Sequence, residues 1–92
     1  MRINIMGRRY GLEFVRPQSA GWDGECDPPD ARRKSIRINR SLTGKRKLET
    51  IVHEFSHAAA WWLSEEHVAK SSKDLAEILW LVGYRNEQEE AD

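Results

Sequence analysis

At 92 residues the chain has room for one small domain, near the size at which a core alone gives modest stability. Hydrophobic residues at 39%, four tryptophans among them, suffice for a compact core, while 33% charged residues and the lack of any apolar run of spanning length exclude a transmembrane helix. A single cysteine, Cys26, excludes an internal disulfide, and the amino terminus carries no signal-peptide core, so the cytoplasm is the expected compartment.

The net charge of zero conceals an uneven distribution. Residues 1–50 hold 12 Lys/Arg against 6 Asp/Glu, and residues 51–92 hold 3 against 9. Arg32, Arg33, Lys34, Arg37, Arg40, Lys45, Arg46 and Lys47 could make a patch for nucleic acid or an acidic partner. No aromatic residue interleaves with them to stack bases, so two solvated surfaces of opposite sign are the plainer expectation.

In chain order, Arg2 to Met6 alternates around Ile3 and Ile5, and Tyr10 to Arg16 alternates around Tyr10, Leu12 and Phe14. With Gly7-Arg8-Arg9 between them, the pattern predicts a β-hairpin that Pro17 ends. Residues 18 to 34 mix Gly21, Gly24, Pro28 and Pro29 with polar residues, which predicts a long irregular loop pinned by Trp22. Ser35 to Asn39 predicts a third strand with Ile36 and Ile38 buried. Ser41 or Thr43 can cap a helix that starts near Gly44 or Lys45 and runs to about Ala60 or Trp62. Its first turn carries Lys45, Arg46 and Lys47, against the helix dipole. Ser64 caps a second helix, with Glu65 and Glu66 of favourable sign in its first turn and Gly83 as a left-handed stop. Residues 1–85 therefore read as one domain of α+β class, a three-stranded sheet on two helices. Residues 86–92 read as an acidic, disordered tail.

The first helix contains His53-Glu54-Phe55-Ser56-His57. On a helix His53 and His57 lie one turn apart on one face, where two imidazoles can grip one Zn2+, and Glu54 stands beside the metal as a proton acceptor. Ile51, Val52, Phe55, Ala58, Ala59 and Trp62 define an apolar stripe, with the two histidines on its far side. Zinc held by two histidines and a water needs a further protein ligand. Glu65 falls on the core stripe of the second helix, Val68, Ala69, Ser72, Leu75, Ala76 and Leu79, and so faces the first helix. Glu66 is the alternative, and His67 and Asp74 point farther away.

With His53-Glu54-Phe55-Ser56-His57, Leu63-Ser64-Glu65-Glu66, Asp74-Leu75-Ala76 and Leu79 to Tyr84 in hand, the stretch from Leu48 to Arg85 resembles a minimal zincin of gluzincin type. It is similar in outline to ImmA/IrrE-like and SprT-like metallopeptidase cores and to small phage-encoded metallopeptidases. The resemblance implies a sheet laid over the active-site helix, its edge strand holding an extended peptide. The expected activity is zinc-dependent hydrolysis of a peptide bond by metal-bound water with Glu54 as general base, on a peptide or protein substrate. Tyr84, His67, Tyr10 and Arg85 are candidate oxyanion donors. The alternative is a non-catalytic, zinc-stabilised interaction module that binds nucleic acid or an acidic partner through the basic half. Cys26 is a candidate inhibitory ligand at the open metal position, or else a thiol without metal contact.

Overall fold

The computed structural model describes residues 1–86, so the expected acidic tail lies, but for Asn86, outside the described residues. Six elements follow in order: β1 (Arg2–Ile5), β2 (Arg8–Val15), β3 (Gly24–Cys26), β4 (Ser35–Asn39), α1 (Gly44–Ala59) and α2 (Glu65–Leu81). The class is α+β, as the sequence implies, with one strand more than expected.

The hairpin β1–β2 closes through Met6 and Gly7, both at positive φ, 50° and 76°. That is the two-residue turn whose twist matches the flanking strands, and glycine supplies half of it without strain. The sheet order is β1-β2-β4-β3. β2 and β4 run parallel, with Leu12 opposite Ile36 and Phe14 opposite Ile38. β3 pairs antiparallel to β4 and forms the far edge.

The expected loop over residues 18 to 34 is thus interrupted by a strand. Three residues are too few to show alternation, and β3 exists because β4 is there to pair with. Arg37 locks the pairing by donating to Glu25 Oε1 at 2.9 Å and to both Asp27 oxygens at 2.8 and 3.1 Å. At Trp22 the segment is held through the main chain, whose carbonyl accepts from Asn39 Nδ2 at 3.0 Å.

The core lies between the sheet and α1. Ile5, Tyr10, Ile36, Ile38 and Ala58 form it, and Ile3, Leu12, Cys26, Leu42, Ile51 and Ala59 pack around them. Phe14, expected among the buried residues of β2, is 42% exposed, and the Lys47 ammonium lies 5.3 Å from its ring. α1 turns Thr50, Glu54 and Ala58 inward, four residues apart. The apolar stripe read from the sequence is therefore rotated: Phe55 and Trp62 are exposed at 49% and 80%. Period alone ranked Phe55 and Trp62 above Thr50 and Glu54, but α1 meets both the sheet and α2, and Thr50 and Glu54 take the sheet side.

Thr43 occupies the N-cap position of α1, yet its side chain makes no cap bond. The basic first turn finds tertiary partners instead. Lys45 pairs with Glu77 at 2.6 Å and Arg46 grips Asp23 at 2.8 and 3.2 Å, which ties the start of α1 to α2 and to the segment before β3. α2 begins as expected, with Ser64 Oγ accepting from His67 N at 3.0 Å. It ends on Gly83 at φ 93°, where Tyr84 N donates to Leu79 O. Its buried face is Val68, Ser72 and Ala76, and Leu75, expected on that stripe, is 44% exposed. α2 packs chiefly on α1, so the molecule is layered as sheet, α1, α2.

A candidate metal centre

α1 stops at Ala59, and the chain turns at once, with Leu63 N donating to Ala60 O at 3.0 Å before Ser64 starts α2. This abrupt turn brings Glu65, eight positions after His57 in the chain, back over the histidine face. Glu65 Oε1 lies 2.7 Å from His53 Nε2 and Oε2 lies 2.8 Å from His57 Nε2. The two Nε2 atoms are 3.2 Å apart.

These atoms suit a small divalent ion. Tetrahedral zinc with bonds of about 2.0–2.1 Å sets its ligand atoms about 3.3 Å apart, a spacing the two Nε2 atoms match at 3.2 Å, while the Glu65 oxygens stand nearer, at hydrogen-bond distance from the rings. Two imidazole nitrogens and one carboxylate are also the donor set of a hydrolytic zinc site, which leaves one position open. The histidine side chains are 22% and 17% exposed, and that of Glu65 is 69% exposed, so the cluster sits in the wall of a cleft with its carboxylate toward solvent. Among the described residues, this trio is the one group of three or more His, Cys, Asp or Glu side chains arranged to hold a metal.

Of the other candidates, Glu66 turns away and pairs with Lys70 at 2.9 Å. Tyr10 is fully buried in the core, with its hydroxyl lacking a hydrogen-bond partner. Tyr84 and Arg85 line a separate groove between the start of α1 and the end of α2. None of the four candidate oxyanion donors lines the cleft around the trio.

Glu54 is 6% exposed and sits between α1 and β3. Burial pushes its carboxyl up to about 7; His53 works against that rise, and Glu65 and Glu25 add to it. A buried carboxyl that lines the same cleft as the trio is placed to exchange a proton with water there. Burial likewise pushes the Cys26 thiol up to about 12, with Glu54 and Asp27 reinforcing it, so in the metal-free protein the group is a neutral thiol.

Sequence reasoning missed Gly24. A Cβ there would lie 2.8 Å from Arg37 O, 3.1 Å from Thr50 Cγ2 and 3.4 Å from Glu54 Cγ. The missing side chain lets the edge strand rest directly on the helix at Glu54. One visible signal was a glycine in a loop rich in structure breakers, which has no unique meaning without β4 beside it.

Two clefts of about 480 Å³ each adjoin at Gly24, His53 and Glu54, which line both, while His57 and Glu65 line only one of them. One cleft runs past Cys26 to Trp61 and Leu63, and the other past Asp23 to Lys45 and Arg46. Of the basic residues in the first half, Arg37, Lys45 and Arg46 are held by acids, and Lys34 and Lys47 lie over the rings of Tyr10 and Phe14. No helix among the described residues is long and apolar enough to cross a membrane.

No family model matches this chain, and neither a curated protein nor a solved structure matches it.

Proposed function

We propose that this chain is a zinc-dependent peptide hydrolase of minimal zincin type, acting in the cytoplasm. The observation that carries the reading is the convergence of His53, His57 and Glu65 within hydrogen-bond distance of one another beside a buried Glu54. Zinc bound there would polarise the scissile carbonyl and acidify a coordinated water. Glu54 accepts a proton from the attacking water as its oxygen bonds to the carbonyl carbon. The same carboxyl delivers that proton to the departing nitrogen as the C–N bond breaks.

The edge strand supplies a place for the substrate. Asp23 O accepts from Asn39 N and Asp27 N donates to Ser35 O, so alternation in the antiparallel ladder turns the backbone groups of Gly24 and Cys26 to the outer edge. An extended peptide can pair there through main-chain bonds, directly beside Glu54 and the trio.

Protein purified without chelators should carry one zinc per chain, and His57→Ala should lose it. Glu54→Gln should keep the metal while hydrolysis of a peptide library falls at least about a hundredfold, the usual worth of a general base. A zinc-free wild-type protein, or undiminished cleavage by Glu54→Gln, rejects the assignment. The lack of an oxyanion donor among the four named side chains favours one second reading, a zinc-stabilised binding module. It predicts bound zinc, peptide binding along β3 and no cleavage.

A further inference from the structure

The two clefts that meet at His53 and Glu54 differ in character, and the direction of β3 gives that difference a polarity. The Asp23 end of the strand borders Lys45, Arg46 and Glu49, whereas the Cys26 end borders Trp61 and Leu63. Trp61 belongs to the tight turn after α1. Its indole meets His57 edge-on at 6.0 Å between centroids and remains 43% exposed, so a large apolar surface stands open beside a metal ligand. An indole and a leucine on a cleft wall gain most by covering an apolar group, because the water they release is the source of the free energy.

Antiparallel pairing is the more stable ladder per residue. A peptide added antiparallel to β3 enters over Cys26 and leaves over Asp23. With the scissile bond at His53 and Glu54, its amino-terminal side lies against Trp61 and Leu63. Resting on the hydrolase reading above, we infer that Trp61, with Leu63, selects a large apolar side chain immediately amino-terminal to the cleaved bond. The charged cleft receives the carboxyl-terminal side. Trp61 is thus a specificity-determining residue that touches substrate rather than the reacting atoms.

The test uses the zinc-loaded full chain and a peptide series with Gly, Ala, Leu or Phe before a fixed cut site. Leu and Phe peptides should show kcat/KM about 10-fold or more above Gly, the range an apolar pocket supplies. Trp61→Ala should flatten the series with zinc content unchanged, and Trp61→Phe should restore most of it. Calorimetric binding of the same peptides to Glu54→Gln should give the same ranking without relying on turnover. A flat series, a preference on the carboxyl side of the cut, or a preference that survives Trp61→Ala overturns the inference while leaving the hydrolase reading intact. Ranked, Trp61-dependent binding with no cleavage by the wild type supports the subsite and sinks the hydrolase. Absence of both binding and cleavage removes both.

Discussion

Gly24 shows how one hydrogen atom can decide a site. A methyl group at that position would press on the Arg37 carbonyl, a backbone atom with nowhere to go, and on the stem of Glu54. Gly24→Ala should destabilise the fold by about 1–3 kcal/mol, the usual cost of an overpacked contact, measured as a shift of the urea midpoint. A shift within error would mean that the strand does not rest on the helix as described. Cys26 makes a second residue-scale prediction. With its thiol pushed up to about 12, the metal-free folded protein should react with iodoacetamide at mildly alkaline pH far more slowly than the urea-unfolded chain. Equal rates would show a reactive thiolate in the cleft. At this scale His53, Glu54 and His57 were legible because their chemistry and their spacing coincide in five consecutive positions. Helical phase put Glu65 ahead of Glu66 as the third member, whereas the short turn that brings it over the histidine face is displayed only by the folded chain. Trp61, by contrast, reads in sequence as one more apolar residue near a helix end.

Among the elements, β3 is the one that local pattern could not reveal, and it is held by ions rather than by apolar alternation. Arg37 donates to Asp27 and Glu25 across the strand pair, and its bonds to Asp27, with Ser35 donating to the same carboxylate, hold that carboxyl below its usual range. A carboxylate whose folded value is depressed contributes stability that is present above its ordinary range and disappears as pH falls through the depressed value. The wild type should therefore lose stability below about pH 5, part of it through this group. Arg37→Met should cost roughly 1–3 kcal/mol at neutral pH, as expected for charge-assisted bonds, and should shallow the acid limb. Urea titrations across the acid range measure both, and an acid limb unchanged in the variant would remove Asp27 from the account. The second helix was easier to read from sequence, since Ser64 and Gly83 announce its boundaries in the residue types that caps require. The facing of both helices was harder. α1 has neighbours on two sides, so a single apolar stripe could not say which side the sheet would take.

For the molecule as a whole, the metal is expected to be part of the fold. A ligand that binds the native state alone adds RT ln(1 + [L]/Kd), about 2.7 kcal/mol at a hundred times the Kd. Zinc at that excess should raise the thermal midpoint by roughly 10 °C or more in a domain of this size, and a chelator should reverse it. His57→Ala should unfold at the same temperature with and without zinc; a persisting zinc effect in that variant would place the ion elsewhere. The overall class was legible because alternating segments precede periodic ones. The layering was not, because it depends on which faces of α1 are taken by neighbours.

The packing of α2 on α1, with little hold on the sheet, carries one more consequence. Among the described residues, the outermost layer is fastened by a buried row of small side chains, Val68, Ser72 and Ala76, by the half-buried Leu79 and Trp80, by the Lys45–Glu77 pair and by whatever joins Glu65 to the histidines. The last helix behaves like a door on a latch: amide deuteration should advance through it before reaching α1, and occupancy by the ion should slow that opening first at the end nearest Glu65. Scarcity of metal would then make α2 open to proteases before α1.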